Sequence, residues 1–154
     1  MSKAKIYLAS PFFTDEQREV KARIKKHLER IIGNEYEIAD PQKKGNPLNW
    51  EKDNYDWGSN TFVNDITLLD GCEEVVAIDW GLYGDCGTAW EVGYAYSKDK
   101  HILVICPNAV ANQPHSLMVA NACDNFIIEE RFLTIYHYED LFNLDYLAKG
   151  VVQK

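Results

Sequence analysis

Glu74-Val75-Val76-Ala77-Ile78-Asp79-Trp80-Gly81-Leu82-Tyr83-Gly84-Asp85-Cys86-Gly87-Thr88-Ala89-Trp90-Glu91-Val92-Gly93-Tyr94-Ala95 is the stretch on which the fold turns. Glu74 to Ile78 holds a short, continuous apolar run, the pattern of a parallel strand covered on both faces. A glycine-rich loop, Trp80 to Cys86, follows it, and Thr88 to Ser97 reads as a helix.

The same alternation extends outward in both directions. Upstream, Ile6 to Ala9 reads as a strand and Thr14 to Ile32 as an amphipathic helix. Thr14 caps that helix, Gln17 stands three residues later, and Val20, Ile24, Leu28 and Ile31 share a face. Tyr36 to Ala39 is a second strand. Asp40 to Asp56, with Pro41, Gly45 and Pro47, is a long polar loop of the kind that usually serves function. Trp57 to Leu69 is a second helix with Phe62, Ile66 and Leu69 inward. Downstream, His101 to Cys106 is a strand, Asn108 to Gln113 a loop, and Pro114 to Asn121 a short helix opened by its proline. Phe126 to Ile128 is a fifth strand, and Tyr138 to Ala148 a closing helix.

Strands alternating with helices imply a three-layer α/β domain, here a single one over residues 1–154. Right-handed crossovers narrow it to a doubly wound, flavodoxin-like, five-stranded parallel sheet. Ligands of such sheets bind outside the carboxyl ends of the strands. The expected lining is therefore Ser10 to Phe13, Asp40 to Asp56, Asp79 to Cys86 and Pro107 to Gln113.

Bulk composition narrows the function classes. A formal net charge of −8 disfavours a nucleic-acid surface, which needs a basic face. No run of about 20 apolar residues is present, so no membrane span is expected. The opening residues, with Lys3 and Lys5, lack the pattern of a signal peptide. Cys72, Cys86, Cys106 and Cys123 form no C-x-x-C pair and match no zinc spacing. Buried free thiols and a cytoplasmic location are the simplest reading. A P-loop is missing, and Gly81, Gly84 and Gly87 match a dinucleotide turn only loosely. His115, near a helix start, is expected at the surface or in a cap.

Glu91 falls near the start of its helix, where the backbone dipole favours a carboxylate by roughly 0.3–1 kcal/mol. An ionised carboxylate is the group that attacks an anomeric carbon. Taken alone, such a glutamate is a solvated helix-start charge. Asp65, on the helix that feeds the third strand, adds a second carboxyl group. Glycosidic cleavage needs one carboxylate to attack and one acid to release the leaving group, provided their surroundings separate their pKa values. Gly87 and Gly93 leave room for close approach of a ligand or a neighbouring backbone. Phe12, Phe13, Trp50, Trp57, Trp80 and Tyr83 are available to stack on a planar ligand.

Five segments, in order, carry a family resemblance: Lys5 to Gln17, Gln42 to Gly45, Trp57 to Ile66, Asp85 to Ala95 and Ser116 to Met118. Together they resemble the nucleoside 2-deoxyribosyltransferases. The resemblance implies that Glu91 attacks C1′ to give a covalent 2-deoxyribosyl-enzyme, and that Asp65 helps to protonate the departing base. It implies further that Tyr7 touches the nucleophile, Asp85 holds the sugar 5′-hydroxyl, Gln42 contacts the base, and Phe13 is an apolar wall beside it. No metal or organic cofactor is implied. The implied partners are 2′-deoxyribonucleosides and free nucleobases, with no nucleic acid and no membrane. A homo-oligomer, dimer or hexamer, is implied, with each site completed by a neighbouring subunit.

Two departures from the family pattern stand out. Ser116 replaces the asparagine that commonly reaches the neighbouring site; related deoxynucleotide N-glycosidases carry a serine there. The chain ends Gly150-Val151-Val152-Gln153-Lys154, without the terminal aromatic residue of many transferases. Against the 5′-monophosphate hydrolase alternative stands Asp85. At ~4 Å and an effective dielectric of ~20, a carboxylate facing a phosphate costs about 4 kcal/mol. Nucleosides are therefore the expected substrates, with water interception of the intermediate as a side reaction.

Overall fold

A computed structural model describes residues 3–81, 84–127 and 130. The chain runs β1 (Ala4–Ala9), α1 (Asp15–Ile32), β2 (Tyr36–Ala39), α2 (Asn54–Asp70), β3 (Glu74–Ile78), α3 (Cys86–Ser97), β4 (His101–Ile105), α4 (Leu117–Ala122) and β5 (Asn125–Ile127). Short 3-10 turns at Pro41–Lys44 and Asn108–Val110 follow β2 and β4. The strands form one sheet in the order β2-β1-β3-β4-β5. Every pairing is parallel, with Tyr7 opposite Ala39 on one side and Val75 on the other. This is the doubly wound α/β arrangement expected from the alternation of elements. The closing helix expected at Tyr138 to Ala148 lies outside the described residues.

Side-chain alternation along the strands splits the core into two layers. Ile6 and Leu8 of β1, Val76 and Ile78 of β3, and Leu103 and Ile105 of β4 pack against Val20, Ile24, Leu28 and Ile32 of α1. Tyr7 and Ala9, Val75 and Ala77, and Ile102 and Val104 point the other way, toward Leu69, Val92, Ala95 and Val119 of α2, α3 and α4. Tyr7 therefore faces α3, a consequence of strand periodicity with a direct bearing on the site.

Local signals explain most boundaries. Thr14 and Gln17 form the expected capping box at the start of α1. On that helix Ile32 is fully buried and Ile31 only partly, a shift of one position from the expected face. The Asp40 to Asp56 segment is less open than a plain loop. The side chain of Asn46 donates to the Trp57 carbonyl and the Thr61 hydroxyl, fastening it to α2. Helix α2 begins at Asn54 rather than Trp57, and Phe62 is 55% exposed, not inward. Helix α4 begins at Leu117, after Ser116, not at Pro114. Cys72, Cys106 and Cys123 are buried, while Cys86 is exposed.

Candidate active site

The sheet order reverses between β1 and β3, where a parallel doubly wound sheet opens a crevice at its carboxyl edge. A cleft of about 320 Å³ is found there. Ser10, Phe12 and Phe13 line it from the segment after β1, and Pro41 and Gln42 from the turn after β2. Trp57 and Asp65 come from α2, and Asp85, Gly87, Thr88 and Glu91 from the start of α3. An adjoining lobe of about 280 Å³ shares Asp65, Gly87 and Glu91 and adds Phe62, Ile66, Leu69 and Trp90. The segment Pro107 to Gln113, expected to contribute, does not line the cleft; Gln113 and Pro114 instead abut Gly81. Of the aromatic candidates, Phe12, Phe13 and Trp57 line the cleft, Trp50 packs edge-on against Trp57, and Trp80 packs into both core layers.

Glu91 is the sixth residue of α3, because the helix begins at Cys86 rather than Thr88. It is therefore in the second turn, where the dipole of the helix start has faded. Burial dominates instead and raises the Glu91 carboxyl from 4.5 to about 7. The negative charges of Asp65 and Asp85 push in the same direction, while the Tyr7 hydrogen bond and the charge of Lys21 oppose them. The expected preference for ionisation is thus reversed, since desolvation outweighs a dipole contribution of a few tenths of a kcal/mol.

The Tyr7 hydroxyl donates to Glu91 Oε1 at 2.6 Å. Burial and the neighbouring Glu91 charge push the phenol far above its ordinary range, so it remains a donor at all physiological pH. One carboxylate oxygen is thereby fixed, and the other is left to act on a ligand. Asp65 shares the cleft, and burial also raises its carboxyl, opposed in part by Lys44.

Asp85 has a structural duty that its sequence position did not reveal. Its Oδ2 accepts from the backbone N–H of Thr88 at 2.7 Å and from the Thr88 hydroxyl at 2.9 Å, capping α3. Capping by Asp85 explains why Cys86 and Gly87, both poor helix formers, lie within the helix. A Cβ on Gly87 would stand 3.1 Å from that same Oδ2, so a larger residue there would disturb the cap.

Ser116 stands apart from the cleft. It lines a largely apolar groove of about 550 Å³ between α3 and α4, with Tyr96, Leu117 and Met118. These three are 62%, 57% and 76% exposed. The structure therefore gathers Glu91, Asp65, Asp85, Gln42, Phe13 and Gly87 around one cleft, with Tyr7 hydrogen-bonded to Glu91 and Ser116 on another face.

Two further groups emerge only in three dimensions. His115 is fully buried, contrary to expectation. Its Nδ1 lies 2.6 Å from Asp79 Oδ2 and its Nε2 lies 3.5 Å from Cys106 Sγ. Lys21 of α1 is also buried, and its ammonium donates to Asp40 Oδ1 at 2.7 Å and to Gln42 Oε1 at 2.5 Å. The only sequence signal for Lys21 was its place beside the apolar stripe of α1.

Comparison with known proteins agrees with this fold. Residues 6–129 match the family model of the nucleoside 2-deoxyribosyltransferases. The nucleoside deoxyribosyltransferase of Lactobacillus leichmannii is 27% identical over 134 residues, covering 82% of this chain and 85% of that protein. A solved 2-deoxyribosyltransferase from the psychrotolerant bacterium Bacillus psychrosaccharolyticus superposes with a TM-score of 0.74 at 25% identity, covering 90% of this chain and 96% of that one. A conserved protein from Enterococcus faecalis V583 shares the fold at a TM-score of 0.62 and 19% identity, over 92% and 96% of the two chains. With its family model spanning residues 6–129 and every cleft residue named above, this chain belongs to the nucleoside 2-deoxyribosyltransferase family.

Proposed function

We propose that this protein moves the 2-deoxyribosyl group between nucleobases through a covalent ester on Glu91. The reading rests on one observation: a half-buried carboxylate, held at one oxygen by Tyr7, shares a cleft with a second carboxyl group whose pKa is also raised. In the first half-reaction the other oxygen of Glu91 attacks C1′ from the face opposite the base. The C1′–N bond breaks, its electron pair goes to the base nitrogen, and Asp65 supplies the proton. In the second half-reaction an incoming base attacks C1′, Glu91 leaves as carboxylate, and Asp65 recovers a proton. Two inversions retain configuration. Positive charge developing at C1′ stabilises the anion that the surroundings of Glu91 otherwise disfavour. No metal or organic cofactor enters the chemistry.

The remaining residues bind substrate. Asp85, with Oδ2 committed to the α3 cap, has Oδ1 left for the sugar 5′-hydroxyl. Its negative charge favours nucleosides over 5′-monophosphates. Phe12 and Phe13, stacked with centroids 5.0 Å apart, form an apolar wall, and Gln42 contacts the base. Incubation with 2′-deoxyinosine and free adenine is expected to yield 2′-deoxyadenosine. Hypoxanthine alone would identify a hydrolase. Turnover of neither deoxynucleosides nor their 5′-monophosphates would refute both.

The exposed apolar groove at α3 and α4 supports a homo-oligomer, dimer or hexamer, in which Ser116 completes a neighbour's site. Light scattering is expected to show at least a dimer; a monomer with full exchange activity would contradict this. A reducing cytoplasm is the compartment that this reading implies. Among the described residues no helix is long and apolar enough to cross a membrane.

A further inference from the structure

We propose that Lys21 is a specificity-determining residue, which through Gln42 selects nucleobases that present a carbonyl oxygen rather than an exocyclic amino group. This rests on the base-exchange reading above and adds the class of base that the site accepts.

An ammonium is a donor only, so the Gln42 atom 2.5 Å from Lys21 Nζ must be the carbonyl oxygen. The usual ambiguity of an amide flip is therefore removed by chemistry. Gln42 Nε2, with its two N–H groups, has no partner among the described residues, and the side chain it ends lines the cleft. An unconstrained glutamine accepts from an adenine amino group and donates to N7 in one bidentate contact. Here the carbonyl is turned to Lys21, and the positive charge behind it repels an approaching amino N–H. What remains toward the ligand is a donor polarised by a cation, which matches O6 or O4 of a keto base.

The ammonium is held firmly enough to serve this role. Lys21 is 5% exposed, and Asp40, which also accepts from Lys25 at 3.1 Å and from the Gln42 backbone N–H at 3.2 Å, anchors it. The Phe12 ring lies beneath it, 5.5 Å from Nζ to the centroid. Burial would raise the Asp40 carboxyl, yet its two lysine partners hold it below the ordinary value, so it stays ionised. A second lobe of the crevice, sharing Phe12, Pro41, Gln42 and Trp57, adds Lys44, another cation facing the same region.

The test is a competition. Wild-type enzyme receives thymidine as donor with equimolar hypoxanthine and adenine as acceptors, and the product ratio is read by chromatography. That ratio reports relative kcat/KM and is insensitive to a general loss of activity. Wild type is expected to favour 2′-deoxyinosine. Lys21→Met is expected to shift the ratio about tenfold toward 2′-deoxyadenosine, the worth of one hydrogen bond. Gln42→Glu, which keeps a partner for Lys21 but presents only an acceptor, is expected to shift it at least as far, and it decides the matter if Lys21→Met does not fold. A ratio unchanged in the folded variants, or a wild-type preference for adenine, would overturn the proposal even if total activity fell. Wild type giving neither product would instead overturn the base-exchange reading itself.

Discussion

Glu91→Gln is expected to lower base exchange by at least ~10⁴-fold, about 5 kcal/mol of transition-state stabilisation, while making the protein more stable above pH 7. The two effects have one cause. Glutamine has the shape of glutamate and still accepts from Tyr7, but it has no charge to offer C1′. Glu91 has a folded pKa of about 7 against 4.5 for the free side chain. A raised carboxyl contributes stability that is complete below about 4.5 and is lost as pH rises through about 7. Above that value the wild type carries a half-buried charge worth on the order of 3 kcal/mol of destabilisation, which glutamine removes. Thermal unfolding at pH 8 is expected to show Glu91→Gln melting several degrees higher, at roughly 2–4 °C per kcal/mol. At pH 4 the two proteins are expected to melt together. A variant less stable at both values would place the role of Glu91 in the fold rather than in the chemistry.

Asp65→Asn is expected to reduce exchange by about 10²–10³-fold, with the loss largest for donors whose base leaves poorly. A general acid matters most where the leaving group most needs a proton, so bases that depart readily as anions are expected to lose least. The variant also isolates the titration of Glu91. Its residual activity is expected to rise with pH in a single ionisation and to be lost as pH falls through that group's pKa. That pKa is expected somewhat below 7, because the Asp65 charge is one of the influences raising it. Steady-state rates across pH 4–9 with two or three donors check both points. A uniform loss across donors would assign Asp65 to binding instead.

The central strands β1, β3 and β4 were legible because each carries a short apolar run covered on two faces; β2 and β3 end where their residue types change. The Tyr7–Glu91 contact was legible through the family pattern, and strand alternation gives its physical reason, since Tyr7 points away from the α1 layer that holds Ile6 and Leu8. What escaped notice depends on partners distant in sequence. His115 looked like a surface residue because Asp79, its partner, lies 36 positions away. Nothing in the sequence set Lys21 apart from the other charges of α1, for its partners lie beyond the next strand. Asp85 hid a cap behind two poor helix formers, which set Glu91 two residues deeper in α3, while burial reversed the expected sign of its pKa shift. Phe62 had helical spacing but packs edge-on against Trp90 at the rim of the site. Local pattern thus specified the scaffold, while long-range pairing set the electrostatics of the cleft.

The covalent ester is most directly tested by mass spectrometry. Enzyme mixed with a 2′-deoxynucleoside but no acceptor base is quenched in acid, digested and mapped. The expected result is a 2-deoxyribosyl adduct on the peptide carrying Glu91, which disappears when adenine is added before the quench. Efficient base exchange with no adduct at any quench time, or with the adduct on another residue, would contradict attack by Glu91.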